Sequence, residues 1–210
     1  MLTLYDYTKA PSPRRTRMFM AEKNIPFKAI QVDLETGEQM GEAYRKINPA
    51  CTVPALVLED GIILTDNAQI AAFLDASYPE NPLLGTTPME KGDIAKWNAW
   101  AEFAGLRSVA NALRNSAPSM KDRALPGPRK IKQIPELAER GKQQTIWFMG
   151  TLNKLLSRRD YVAGDSYSVA DITATVAVDF AAWIKVYPQE DQTALLAWHE
   201  RMKARPSYKA

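Results

Sequence analysis

Cysteine and histidine, two of the residue types most used in nucleophilic and metal chemistry, are almost missing from this 210-residue chain, which limits the chemistry it can do. There is one cysteine, Cys51, and one histidine, His199. A lone cysteine excludes an internal disulfide, and one Cys and one His so far apart are poor material for a zinc site or a cysteine-protease pair. Cys51 reads as an inert loop thiol. Asp66-Asn67 stands at the head of an apolar-periodic run. Both residue types cap helices, and the free N–H groups and macrodipole of a helix start also attract a carboxylate. Ser12-Pro13 has the form of an N-cap followed by a first helical residue, with a hydroxyl that can donate one bond while accepting others. Pro54 opens an apolar run, where a missing N–H is tolerated at a strand start. Ser168-Val-Ala-Asp171 has capping-box spacing and reads as structural.

The elements that must position these residues change character along the chain. Leu2–Tyr7 alternates like a strand, Pro11-Ser-Pro13 breaks it, and Arg14–Asn24 reads as a helix with Met18, Ala21 and Ile25 in register. Phe27–Asp33 reads as a second strand, Gly41–Ile47 as a short helix, and Val53–Leu64 as two strands joined at the turn pair Asp60-Gly61. Asn67–Ser77 is a further helix. Pro79, Pro82, Gly85 and Pro88 punctuate a linker. Beyond it only helices are expected: Ile94–Asn115, Leu137–Ser157, Ala170–Val186 and Thr193–Ala204, with a broken stretch over 115–135. The pattern predicts two domains, a β-α-β-α-β-β-α unit over 1–78 and an all-helical domain over 90–210, joined by a linker at 79–89.

Composition excludes several classes. Lys+Arg 27 against Asp+Glu 24 leaves +3, with the cations scattered apart from Arg14-Arg15-Arg17 and Arg129–Lys132, so no nucleic-acid partner is expected. The arginines near residue 14 read as a solvated helix face. No stretch is long and apolar enough for a membrane span, and the first residues lack a signal-peptide pattern. The expected setting is the cytoplasm.

Five motifs, in order, resemble the cytosolic glutathione S-transferases of bacterial type: SPRRTRMFMAEKNIPF, INPACTVPAL, ILTDNAQIAAFL, YVAGDSYSVADI and WHERMKARPSYK. The resemblance runs from Leu2 to Lys209. It implies a thioredoxin-like α/β domain followed by an all-α domain, a homodimer, and glutathione as cosubstrate without a metal. It implies a cis Val53–Pro54 bond that turns the Val53 N–H and C=O outward to pair with an extended peptide, where sequence alone fits an ordinary trans proline. It places Asn67 on the α-carboxylate of the γ-glutamyl group and Asp66 on its α-ammonium, where most of the family has Glu-Ser. Gln39 and Thr52 fall where the family often contacts the glycyl carboxylate or the peptide backbone, or else are solvated surface; Lys9 or Arg14 are the cations within reach. Ser12 is the first choice for stabilising the thiolate, with Thr8, Tyr5, Tyr7 or a backbone N–H as substitutes, because Ala10 stands where serine-type members have serine.

The activity so implied is conjugation of glutathione to a small hydrophobic electrophile held in an apolar pocket of the helical domain. The long helix carrying Trp97, Trp100 and Phe103 lines part of that pocket, although those aromatics read first as core or dimer interface. Two other activities fit the same fold: glutathione-dependent reduction of disulfides or peroxides, and a non-catalytic binding module.

Overall fold

The computed structural model describes residues 1–210. Its four strands, β1 (Leu2–Asp6), β2 (Phe27–Gln31), β3 (Ala55–Val57) and β4 (Ile63–Leu64), form one sheet in the order β2-β1-β3-β4. β2 runs parallel to β1, with Leu4 opposite Ala29; β3 and β4 are antiparallel to their neighbours. The parallel pair requires a crossover, which α1 (Pro11–Glu22) supplies. Between β3 and β4 the chain turns at Asp60-Gly61, where Gly61 has φ 88° and relieves a conformation costly for other residues. Between β2 and β3 lie a short 3-10 helix at Glu38–Met40 and the one-turn α2 (Glu42–Arg45). The last helix of this unit is α3 (Asn67–Ser77), with the bounds read from the sequence.

The rest is helical: α4 (Pro88–Trp100), α5 (Arg107–Ser116), α6 (Pro135–Leu156), α7 (Val169–Ala181) and α8 (Thr193–Lys203). Helix α4 starts six residues before the expected Ile94. Thr87 and Glu90 form a capping box, and Pro88 sits at the first position, where its missing N–H costs nothing. A π-helical segment, Ala101–Leu106, joins α4 to α5, so one rod runs from Pro88 to Ser116. Gly105 lets this rod close on the core: a Cβ there would stand 2.9 Å from Ala177 Cβ and from Phe148 Cζ.

Two readings of the start of α1 are corrected. The helix begins at Pro11, three residues before Arg14, because the prolines at 11 and 13 both occupy first-turn positions that need no N–H. Its N-cap is Ala10, with no side-chain cap bond, so Ser12 is inside the first turn and caps nothing.

A continuous apolar core links the sheet to the helices, from Leu4, Met18 and Leu56 through Ala101 and Phe148 to Trp198. Helix α7 is its centre and the capping box at its head is formed, with Ser168 as N-cap. The Asp171 carboxylate does more than cap. It accepts from the backbone N–H groups of Val162 and Ser168, both at 3.0 Å, and from Trp198 Nε1 at 3.0 Å. Burial pushes its carboxyl up to about 6, and these donors keep it ionised at neutral pH. Asp171→Ala strands three buried donors at once. Urea unfolding is expected to show a loss of about 3–5 kcal/mol, or no folded protein; a loss below about 1 kcal/mol would mean that the donors find other partners.

Candidate functional site

Helix α1 lies between the sheet and the helical region, and from Arg15 to Met20 every residue is buried. A helix buried all round needs its polar side chains paired. Arg17 donates to Asp6 Oδ1 at 2.5 Å and to Thr8 O at 3.1 Å. Gln31 Nε2 donates to Asp6 Oδ2 at 2.8 Å, while its oxygen accepts from Thr8 N and Thr8 Oγ1, both at 2.9 Å. This network holds the β1–α1 turn from beneath. Arg14 donates to Asp179 Oδ2 at 2.6 Å, and Asp179 also contacts His199 Nε2 at 2.8 Å. Glu22 accepts from Arg205 Nε and Nη2, both at 2.7 Å, and from Ser207. The Arg14-Arg15-Arg17 cluster is therefore no solvated face. It fastens the helix to both sides, and the run of three apolar residues, Met18-Phe19-Met20, is the sequence signal for a helix without an open face.

The starts of α1 and α3 meet at Asn67. A guanidinium has donors only, so Arg15 sets which way the Asn67 amide faces. Asn67 Oδ1 accepts from Ser12 Oγ at 2.8 Å and Arg15 Nη2 at 3.2 Å; Nδ2 donates to Thr16 Oγ1 at 3.0 Å and Ser12 O at 3.1 Å. Arg15 Nη1 donates across to Glu102 Oε2 of the π segment at 3.1 Å, and Arg15 Nε is buried without a partner. Asp66 caps α3, accepting from Ala68 N at 2.8 Å and Gln69 N at 3.3 Å, and stays exposed. Opposite, the Val53–Pro54 bond is cis, as the resemblance implies. Neither the N–H nor the C=O of Val53 has a hydrogen-bond partner, while its side chain is buried with Val32 and Tyr44 against Tyr5, Tyr7, Ala10 and Leu34.

The sequence candidates thus gather in part. Ser12 and Asn67 are bonded to each other, Asp66 adjoins Asn67, and Val53, which leads into Pro54, packs against Ala10 at the start of α1, so these residues border one candidate groove. Tyr44 Oη and Asn48 Nδ2 donate to Thr52 O at 2.6 and 2.8 Å, so the carbonyl before Val53 is already used. Gln39 is 4% exposed, so it is not solvated surface, and its Oε1 has no partner. The two cations expected for a carboxylate are spent elsewhere, Lys9 on Glu35 at 2.8 Å and Arg14 on Asp179. Cys51 is buried with φ 55°, its thiol toward Pro49 O.

The hydroxyls near the groove are largely committed. Tyr7 donates to Glu35 at 2.6 Å, which raises its pKa first through that bond; Thr8 donates to Gln31 and Ser12 to Asn67. What the start of α1 does offer is one main-chain donor. Pro11 and Pro13 have no N–H, Arg14 N donates to Ala10 O at 3.4 Å, and the N–H of Ser12 is unpaired at the positive end of the helix. The sequence reading missed Arg15, Thr16 and Glu102. Nothing in residue type separates Arg15 from a surface arginine, and its role depends on the two layers coming together.

Comparison with known proteins gives the family and the fold. Residues 11–77 match the glutathione S-transferase N-terminal domain and residues 128–206 the C-terminal domain. The chain is 34% identical to glutathione S-transferase 2 of Saccharomyces cerevisiae over 99% of its own length and 88% of the yeast protein. The crystal structure of Gtt2 from S. cerevisiae superposes with a TM-score of 0.90 at 34% identity, covering 99% and 98% of the two chains. A glutathione S-transferase domain-containing protein of Marinobacter aquaeolei gives 0.90 at 31% identity, covering 98% of each chain. The disulfide-bond oxidoreductase YfcG of Escherichia coli is 26% identical over 99% of this chain and 92% of its own.

Proposed function

This chain belongs to the glutathione S-transferase family, and on that premise we propose that it binds glutathione in the Val53–Asn67 groove and conjugates it, through its thiol sulfur, to small apolar electrophiles. The unpaired Val53 N–H and C=O carry the reading. They suit the cysteinyl main chain of an extended tripeptide added as a strand. The γ-glutamyl end then meets the start of α3, its ammonium at Asp66 and its carboxylate at the unpaired main-chain N–H of Asn67. Gln39 and Thr52 flank the glycyl end. The electrophile comes from an apolar pocket of the helical domain over 90–210, beside the glutathione domain over 1–78 and past the linker at 79–89. The free cysteine and the absence of any helix long and apolar enough to cross a membrane suit a cytoplasmic detoxification enzyme.

Ser12 is the catalytic position in this reading, acting through its main chain. A thiol with a pKa near about 8.5 is mostly protonated at neutral pH, and a helix N-terminal N–H stabilises the thiolate. The Ser12 hydroxyl holds Asn67 in place. Reduction of disulfides or peroxides is the second reading, supported by the YfcG relationship, and uses the same thiolate. A homodimer is supported by the faces left open: Ala68, Ala72 and Ala76 on α3, no buried residue on α4, and Phe103 65% exposed. Light scattering should give twice 23.5 kDa at micromolar concentration; a monomer mass would count against pairing through these helices.

Asp66 is tested by two variants. Asp66→Asn keeps an acceptor for the α3 cap and removes the charge, so glutathione binding measured by calorimetry should weaken by about 1–3 kcal/mol with little change in melting temperature. Asp66→Ala should lose both affinity and about 1 kcal/mol of stability. Unaltered affinity in Asp66→Asn would remove Asp66 from the site. For Ser12, thiolate absorbance of bound glutathione is titrated against pH. Ser12→Ala retains the N–H, so the apparent thiol pKa should stay within about 0.3 unit of the parent, each unit being worth about 1.4 kcal/mol. A rise of about a full unit would return the role to the hydroxyl.

A further inference from the structure

A second cleft, between α4 and the C-terminal end of α6, gathers positive charge. It measures about 360 Å³, and Trp97 lines it together with Thr151, Lys154, Leu155, Arg158 and Arg159. No residue that borders the Val53–Asn67 groove is among them. The indole of Trp97 is fixed from the core side. It meets Trp100 edge-on at 5.5 Å between ring centroids, and Trp100 lies 4.9 Å from Phe148 of α6. Two cations then lie on that indole: Lys96 Nζ is 4.9 Å and Arg159 Cζ 5.1 Å from a ring centroid. The ring quadrupole holds a cation in place without cancelling its charge, whereas an acid would do both.

None of Lys96, Lys154, Arg158 and Arg159 makes an ion pair, and neither do Asp93 and Asp160, the acids nearest to them in sequence. Helix chemistry accounts for part of the cluster, since Lys154 stands in the last turn of α6, at its negative end. That end carries roughly half an elementary charge, which four formal positive charges outweigh. It gives no reason for Lys96, which comes from α4, nor for Arg159, half-buried on Trp97 beyond the end of α6. Such a surplus favours a ligand with more than one negative charge. A phosphate monoester brings roughly 1.5 to 2 negative charges at neutral pH and three acceptor oxygens. Guanidinium forks match that geometry, and a single carboxylate would fill only one of them.

We propose that this cleft binds a phosphate group, either free or as a small phosphate monoester. Lys96, Lys154, Arg158 and Arg159 surround the phosphoryl oxygens, and the Thr151 hydroxyl adds a donor. Leu155 and the edge of Trp97 offer apolar surface to the substituent of an ester. The site stands apart from the groove and does not depend on glutathione binding.

Calorimetry on the whole protein, without glutathione, tests the site with phenyl phosphate, inorganic phosphate and phenol. Phenyl phosphate is expected to bind saturably with a Kd of about 1 mM or lower, and phenol not to bind. Arg159→Gln and Lys154→Gln should each raise that Kd about tenfold. Lys28→Gln, which removes an exposed cation on β2, should leave it within about twofold. Thermal melts establish that each variant is folded, and Lys154, on the exposed side of α6, remains informative if Arg159→Gln disturbs its loop. Inorganic phosphate bound as tightly as phenyl phosphate identifies the free ion as the ligand; tighter phenyl phosphate identifies the ester. No saturation below about 10 mM, or the same weakening in Lys28→Gln, would overturn the site. So would a change of molecular mass in Arg159→Gln, read by light scattering, with phenyl phosphate binding intact, since the cations would then serve a contact between copies of the chain.

Discussion

The structure depends on the burial of α1 from both sides. A helix without a solvent face must satisfy its charged residues internally, because an unpaired buried charge costs several kcal/mol. Arg17 does so with Asp6, Arg14 with Asp179, and Glu22 with Arg205 and Ser207. These pairs fix the angle at which the helical region sits on the sheet. They also fix the height of the first turn of α1, which is where the groove begins. Asn67 then ties the start of α3 to that turn, and Arg15 carries the tie across to Glu102.

The groove itself is made of main chain more than side chain. Two prolines leave Ser12 as the free N–H at the head of α1, and Val53 offers one donor and one acceptor unused by the sheet. Main-chain groups held this way cost little reorganisation when a ligand arrives, which is the general advantage of preorganised donors. Side chains act around them: Asp66 supplies charge, Asn67 orientation, Tyr44 and Asn48 hold the carbonyl just before Val53. Three of the hydroxyls that sequence reasoning favoured already donate within the chain, Thr8 to Gln31, Tyr7 to Glu35 and Ser12 to Asn67.

Much of the fold was legible because it rests on local signals. The period of α3, the Asp60-Gly61 turn and the Ser168–Asp171 capping box all carry their cause in neighbouring residues, and each stands where it was read. The start of α1 was misread because Pro-Ser-Pro is equally a strand break and a helix first turn, and only tertiary packing decides between them. Arg14, Arg15 and Arg17 were misread for the same reason, since their partners Asp179, Glu102 and Asp6 lie on three different elements. Of the candidate site, the cis Val53–Pro54 bond follows from the family motifs and the Asp66 cap from its place at a helix start, and both are present. The contacts that join the two layers were not.

The central claim is that glutathione lies along Val53 as an added strand, with its γ-glutamyl end at the head of α3. A crystal structure of the protein with glutathione tests it most directly. The account predicts the cysteinyl N–H and C=O within hydrogen-bond distance of the C=O and N–H of Val53, and the sulfur facing the Ser12 N–H. A tripeptide bound elsewhere, or one whose sulfur faces the hydroxyl of Tyr7 or Thr8 with Val53 left unpaired, would contradict it.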